Sequence, residues 1–474
     1  MNVTAGLALL CALLLVLPAV SVQSGEEPAY PALVPPADTS AYGRHIQRTM
    51  TLLASSTPQK RNPVRILFYG QSITAGTWFK RVEADLKARF PHADLTVENR
   101  AIAGFASQLL VRTALYDVIP FHPDLVVFHV YGSHHEYENL IKLIRTQTSA
   151  EVIMQSDHAT KWPEPKAEGN FWETQKEWED KMNYFLLPPI AEKYGCAFQP
   201  QRWEWVAYLK AHGLEPKALL SDNVHCNPHG QWLMAELVKR FLVHVPDAPK
   251  DEWKHLATDY EVGKDVKWEN GKLALPFEGH RVVALAGAGE GGSAEVRIDG
   301  QSPAAFASCY TATRPNRPPG GWFPTIKRIT WEKTPAAEEW TATCRGFNEA
   351  CDDFEFELSG SVTGADGKGR GKEKFVSTSG RVSIEPQDWS FDYAKKIGKQ
   401  SPPDGFQVKW KVEPMFAERY TTPKVDDPAR EVQTVLANHL PDGKHTLELI
   451  AQDGKPPTLK AIRVYRPAIR EEAK

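Results

Sequence analysis

The chain has 474 residues, enough for two or three domains, and its make-up (42% hydrophobic, 24% charged) is that of an ordinary globular protein. A net charge of −3 gives no electrostatic reason to expect nucleic acid or an anionic membrane as partner. Fourteen tryptophans would suit carbohydrate-stacking surfaces, although large cores use tryptophan too.

Residues 1–24 read as a signal peptide. An apolar run over 7–17 is broken by Pro18, and Val22, Gln23 and Ser24 offer a cleavage site before Gly25. The run is too short to span a bilayer, and no later stretch is long and apolar enough. The mature protein is therefore expected to be exported, secreted or periplasmic, without stable membrane insertion. Five cysteines would remain, Cys196, Cys226, Cys309, Cys344 and Cys351, with no metal-ligand spacing among them. Cys344 and Cys351 lie close in sequence, and an oxidising compartment predicts a disulfide between them.

Residues 25–60 form a Pro-rich leader, with a helix expected within 42–55. The apolar run at 64–69 predicts the first strand; Gly70 breaks it, and Ser72 follows two residues later. Residues 78–90 carry apolar positions at helical spacing, and 95–98 form a second strand. Gly104, in Ala101-Ile102-Ala103-Gly104-Phe105-Ala106-Ser107, sits between that strand and a helix over 109–116. There it allows close backbone approach to a ligand, or makes a tight turn.

The run at 125–130 is almost wholly apolar, as in a strand buried on both faces, and ends in Tyr131-Gly132-Ser133-His134-His135. A helix over 136–145, a fourth strand at 151–155 and a long amphipathic helix over 171–194, interrupted by Pro188-Pro189, follow. A short fifth strand at 197–200 and a last helix over 228–243 complete an α/β pattern, a doubly wound and mostly parallel sheet.

After Pro246 the pattern becomes all-β. Residues 266–268 and 272–275 flank Asn270-Gly271, a hairpin signal. Short runs at 281–285, 294–299, 328–331, 340–344, 354–358, 381–384, 406–412 and 446–451 predict a sandwich. Residues 362–373, with four glycines among charges, read as a mobile loop.

Two features carry chemistry. Ser72 falls where open α/β sheets place their sites, at the carboxyl edge, and is either a nucleophile or the cap of the next helix. Asp222 and His225 are three residues apart on a loop before the last helix. At that spacing a carboxylate accepts from one imidazole nitrogen while the other faces a nucleophile. His229 is a rival base, placed to sit on or cap the final helix.

Together these features resemble the SGNH (GDSL-like) hydrolases over about residues 61–246. The family's nucleophile turn is matched by Gly70-Gln71-Ser72-Ile73-Thr74, with Gln71 in place of the usual Asp. Its backbone-donating glycine is matched by Gly104. Its last block is matched by Asp222-Asn223-Val224-His225, with Asn227 and Gly230 following. The third block departs: His134 stands where the family has an oxyanion-binding Asn. The stretch 442–449 resembles a closing strand of jelly-roll accessory domains on polysaccharide-active enzymes.

The resemblance implies a flavodoxin-like three-layer α/β/α domain at 61–246 and a β-sandwich accessory domain at 247–474. It implies a secreted serine esterase that removes O-acyl groups, acetyl above all, from a polysaccharide or glycoconjugate. Ser72 would be the nucleophile, His225 the base and Asp222 its orienter. The Ser72 and Gly104 N–H groups and His134 would hold the oxyanion, with no metal or organic cofactor. Two other readings stay open: a lipid or small-ester hydrolase or acyltransferase on the same triad, and an inactive hydrolase-like carbohydrate-binding protein.

Overall fold

Five parallel strands organise the first half of the computed structural model, which describes residues 29–168, 174–250, 253–452 and 454–470. They are β1 (Pro63–Gly70), β2 (Asp94–Asn99), β3 (Leu125–His129), β4 (Glu151–Gln155) and β5 (Ala197–Gln199), in the order β2-β1-β3-β4-β5. That is the flavodoxin order, whose switch point lies between β1 and β3. Every residue of β3 and β4 is buried, which explains their nearly unbroken apolar sequences. The polar exceptions are partnered: Glu151 accepts from the backbone N–H groups of Arg48 and Thr49 at 2.9 and 2.8 Å, His129 meets Asp157, and Gln155 donates to Gln199.

The helices are α1 (Gln47–Ala54), α2 (Trp78–Arg89), α3 (Ser107–Asp117), α4 (His134–Gln147), α5 (Trp178–Lys181), α6 (Leu187–Lys193), α7 (Gln201–Ala211) and α8 (Pro228–Phe241). The period-two alternation of β1 sorts them into layers. Phe68 points to α2, with its ring 5.2 Å from Trp78 and 5.6 Å from Phe79. Leu67 and Tyr69 point the other way, into a core shared with Leu110 and Ala114 of α3 and Leu140, Ile141 and Ile144 of α4.

The C-terminal half is antiparallel β. One sheet runs Arg419–Thr421, Ser293–Ile298, Lys444–Ala451, Lys272–Glu278, Trp268–Glu269; another runs Gln433–Asn438, Arg281–Ala286, Leu459–Tyr465, Ala257–Glu261. Leu273, Leu275, Val296 and Leu449 of the first share one core with Val282, Ala284, Ile462 and Val464 of the second, making a sandwich. Asn270 and Gly271 take positive φ of 50° and 78°, as a tight hairpin turn requires. Between Ile298 and Arg419 the chain builds a further five-stranded sheet, with its own core around Trp340, Trp410, Phe356 and Trp389.

Several local expectations are corrected. Residues 362–373 are not a loop: Gly364–Arg370 is a strand paired with Glu355–Gly360. Its glycines let the backbone pass against aromatic rings; a Cβ on Gly369 would lie 2.7 Å from both Phe356 and Phe375. The helix expected over 171–194 is a helical run over 178–193, interrupted as expected: α5, a π-helical turn at Met182–Leu186, and α6 with the two prolines in its first turn, while 174–177 are not α-helical and 171–173 lie outside the described residues. Proline has no N–H to donate to the preceding turn, and the wider π-helical turn lies directly before the pair.

Residues 328–331 form no strand, only a bridge between Thr330 and Ser383. Cys344 and Cys351 are free thiols, both buried in the apolar core of the inserted sheet. The expected signal peptide lies outside the described residues, of which 29–33 have no regular secondary structure. Among the described residues no helix is long and apolar enough to cross a membrane.

Candidate active site

The sequence-predicted residues fall at the carboxyl edge of the parallel sheet, all in loops except His134, the first residue of α4. Ser72 lies in the turn between β1 and α2, half-buried. Gly70 is required at the end of β1 because a Cβ there would sit 1.9 Å from the His129 carbonyl oxygen of β3. Gly104 is exposed after β2, with φ +78°. His134 opens α4, which Ser133 caps by accepting from the Glu136 N–H at 3.5 Å. Asp222 and His225 precede α8, whose N-terminus Asn227 caps by accepting from Gly230 N–H at 3.0 Å.

Asp222 and His225 are brought together. The carboxylate accepts from His225 Nδ1 at 2.7 Å, and from the backbone N–H groups of His225 and Val224, each at 2.7 Å. The backbone and ring N–H groups of His225, then the Val224 N–H, hold the Asp222 carboxyl down to about 2. With Nδ1 so occupied, Nε2 is the nitrogen left for a hydroxyl. The bond to Ser72 is unmade: among the described residues neither Ser72 Oγ nor His225 Nε2 has a hydrogen-bond partner. Catalytic hydrogen bonds are often made only when substrate closes the site. The rival base, His229, sits on α8 with Nε2 2.7 Å from the Tyr208 hydroxyl.

Side chains that sequence reasoning did not single out tie these loops together. Gln231 of α8 accepts at Oε1 from Thr77 N–H and hydroxyl, at 3.1 and 2.8 Å, and donates to Cys226 O at 3.4 Å. It thus spans the end of the Ser72 turn and the His225 loop. Asn99 donates to Thr74 O at 2.6 Å, linking the Ser72 turn to β2. His158, just past β4, donates from Nε2 to Val224 O at 2.7 Å, between Asp222 and His225. Burial pushes the His158 imidazole down to about 4.

Beside it is a fully buried pair, His129 Nε2 to Asp157 Oδ1 at 2.5 Å, with Asn183 donating to Asp157 at 2.9 Å. Burial raises the Asp157 carboxyl, but the His129 and Asn183 hydrogen bonds outweigh it and leave it below its ordinary value. His134 packs its ring 3.9 Å from that of His135 and 6.0 Å from that of Trp178. Burial and then the His135 charge hold the His134 imidazole below its ordinary value, favouring the neutral ring.

The C-terminal half reaches the same edge. Trp322 Nε1 donates to Ala103 O, and the Tyr393 hydroxyl to Gly104 O, each at 2.8 Å. Trp322 is 48% exposed, and a Cβ on Gly104 would lie 3.8 Å from its ring. Phe323 anchors this contact, fully buried with its ring 5.2 Å from Phe105. No signal short of the tertiary fold joins residues 322 and 104.

No family model matches the chain, and no curated protein matches it in sequence. Among solved structures it is similar to a two-domain esterase active on acetylated mannans, co-crystallized with mannopentaose. The two are 13% identical with a TM-score of 0.34 over 92% of this chain and 98% of that one. An acetylxylan esterase from Geobacillus stearothermophilus is 21% identical, with a TM-score of 0.33 over 40% of this chain and 98% of that one. An alpha/beta hydrolase enzyme from the metagenome of Lake Arreo, Spain, is 19% identical, with a TM-score of 0.32 over 39% and 97%.

Proposed function

We propose that this chain is an exported serine esterase that removes O-acetyl groups from a polysaccharide or glycoconjugate. Residues 61–246 form its catalytic part and residues 247–474 its accessory part. The observation that carries the reading is the 2.7 Å Asp222–His225 hydrogen bond, on a loop tied through Gln231 to the turn that bears Ser72.

In this reading Ser72 Oγ attacks the ester carbonyl as its proton passes to His225 Nε2. The tetrahedral oxyanion is held by the Ser72 and Gly104 N–H groups and the neutral His134 ring. The C–O bond to the sugar then breaks as His225 protonates the leaving alcohol. Water, activated by the same imidazole, hydrolyses the acetyl-serine and releases acetate. Asp222 keeps His225 in the tautomer with N–H at Nδ1 and stabilises its cation. Trp322 offers a sugar ring a stacking surface beside Gly104, its plane fixed by the bond to Ala103.

The test is acetate release from a panel of acetylated polysaccharides, mannan and xylan first, with Ser72→Ala as control. Wild-type turnover that this substitution lowers by about three decades or more supports the reading. Activity that rises with acyl length on nitrophenyl esters points instead to a lipid hydrolase. A folded wild-type protein that no fluorophosphonate labels at Ser72 excludes the serine mechanism.

A further inference from the structure

A cavity of about 560 Å³ opens between the amino edge of the parallel sheet and the four-stranded sheet of the sandwich. It lies far from Ser72. Pro63 is on its wall, and the eight residues of β1 carry the chain roughly 25 Å from there to Gly70.

The charge lining this cavity is unbalanced. Among the described lining residues seven side chains are cationic and four are carboxylates. All four carboxylates already have cationic partners. Asp124 pairs with Arg48 at 2.8 Å, Asp259 and Glu431 both with Arg463 at 2.6 Å, and Glu261 with Lys264 at 3.4 Å.

Arg281 has none. It opens the strand Arg281–Ala286, is only 7% exposed, and its buried Nε has no acceptor. Its guanidinium forms no ion pair with any described residue; the Tyr465 ring lies 5.6 Å from Cζ, and the Arg65 and Asp124 charges act on it without pairing. Trp253 Nε1 and His122 Nε2, on the same wall, are likewise buried without a hydrogen-bond partner among the described residues. Burial, and then the Arg281 charge, keep the His122 imidazole neutral. An unpaired buried arginine is costly, and proteins rarely keep one unless something else neutralises it.

We propose that this cavity binds an anionic ligand of about sugar size, with a carboxylate or sulfate group seated on the Arg281 guanidinium. The planar fork of arginine matches two oxygens of such a group, and every described lining carboxylate is already engaged by another cation. The volume falls in the range of small-molecule sites and exceeds what a bare ion would fill. The site is independent of the esterase reading.

The experiment titrates the full chain with glucuronate, glucose 6-sulfate and neutral glucose, by calorimetry and thermal shift. The expected result is a charged sugar binding with Kd of about 1 mM or tighter while glucose does not bind. Glucuronate or the sulfate ester binding alone identifies the group recognised.

Arg281→Met should weaken that binding at least about tenfold and raise Tm by about 2 °C or more, because it removes an unneutralised buried charge. Arg281→Lys should keep weaker binding. Esterase activity should be unchanged in both, since the site is remote from Ser72. Equal binding of glucose, no binding of either charged sugar, or a Tm lowered by Arg281→Met overturns the proposal. If neither variant folds, the wild-type titration decides alone.

Discussion

His225 depends on Asp222 through one 2.7 Å contact, and that geometry sets the first prediction. In Asp222→Asn the amide can donate to Nδ1, so the imidazole carries its proton on Nε2 and cannot accept from Ser72. Turnover should fall by about three to four decades with the fold intact, since Asp222 is exposed. Near-normal turnover in purified Asp222→Asn would remove the triad. His134 gives the second. An oxyanion donor is worth about two to three decades in rate, so His134→Ala should lower kcat far more than it changes KM, and His134→Asn should restore much of the loss. Unchanged kcat in His134→Ala assigns the oxyanion hole to backbone donors alone. The third concerns pH. His158 is buried with its pKa pushed from 6.5 to about 4, so the folded state disfavours its charged form. Its contribution to stability is fully present above pH 6.5 and is lost as pH falls toward 4, a swing of about 3 kcal/mol. Tm should drop across that window, and His158→Gln should flatten the drop. An equally steep drop in His158→Gln assigns the acid sensitivity to other groups.

Strands β1 and β3 and the loops that follow them were legible because each apolar run stops at or shortly before a glycine: Gly70 closes β1 and Gly132 follows β3. Asp222 and His225 were legible because the two partners are local, within one turn of chain. Elements were missed where local pattern and environment part company. Helix α7 carries polar residues on its core face and an exposed tryptophan, Trp203, on the other, so its sequence shows no amphipathic pattern. Arg202, 1% exposed, pairs with Asp180 at 2.7 Å, and Gln201 is fully buried. The strand Gly364–Arg370 has few side chains to display a period of two, because ring faces occupy the space they would need. That strand carries a prediction. Gly369→Val places a branched Cβ where Phe356 and Phe375 each leave only 2.7 Å, so it should destabilise the protein by about 1–3 kcal/mol or more. The neighbouring Lys368→Val, on the exposed face, should have little effect. Equal losses from both would mean that ring packing does not explain the glycine.

The inserted sheet makes the molecule interdependent, because it is clamped to α3 and to the loop bearing Gly104. Arg112 pairs with Asp388 at 2.5 Å, and Arg314 with Asp117 at 2.6 Å. The Tyr116 hydroxyl of α3 meets the backbone of Ile329, and its ring joins the insert's own core. Phe323 does the reverse: it leaves the insert to fill the core formed by α3, α4 and the parallel sheet. A fragment ending at residue 246 would expose Phe105, Tyr116 and Asp117, all buried in the whole chain. That fragment should therefore be poorly soluble and inactive. The milder test is Phe323→Ala. Truncating a fully buried phenylalanine costs about 3–5 kcal/mol, and here the cavity opens under Phe105, one residue from Gly104. Thermal unfolding should move as a single transition to lower temperature, and kcat should fall because the Gly104 backbone loses its support. Tyr393→Phe removes only the 2.8 Å bond to Gly104 O, so it should lower kcat by less and leave Tm within a few degrees. If the halves are independent, Phe323→Ala will split the melt into an unshifted α/β transition and a shifted β transition, with activity following the first. That outcome would reduce the clamp to a passive contact.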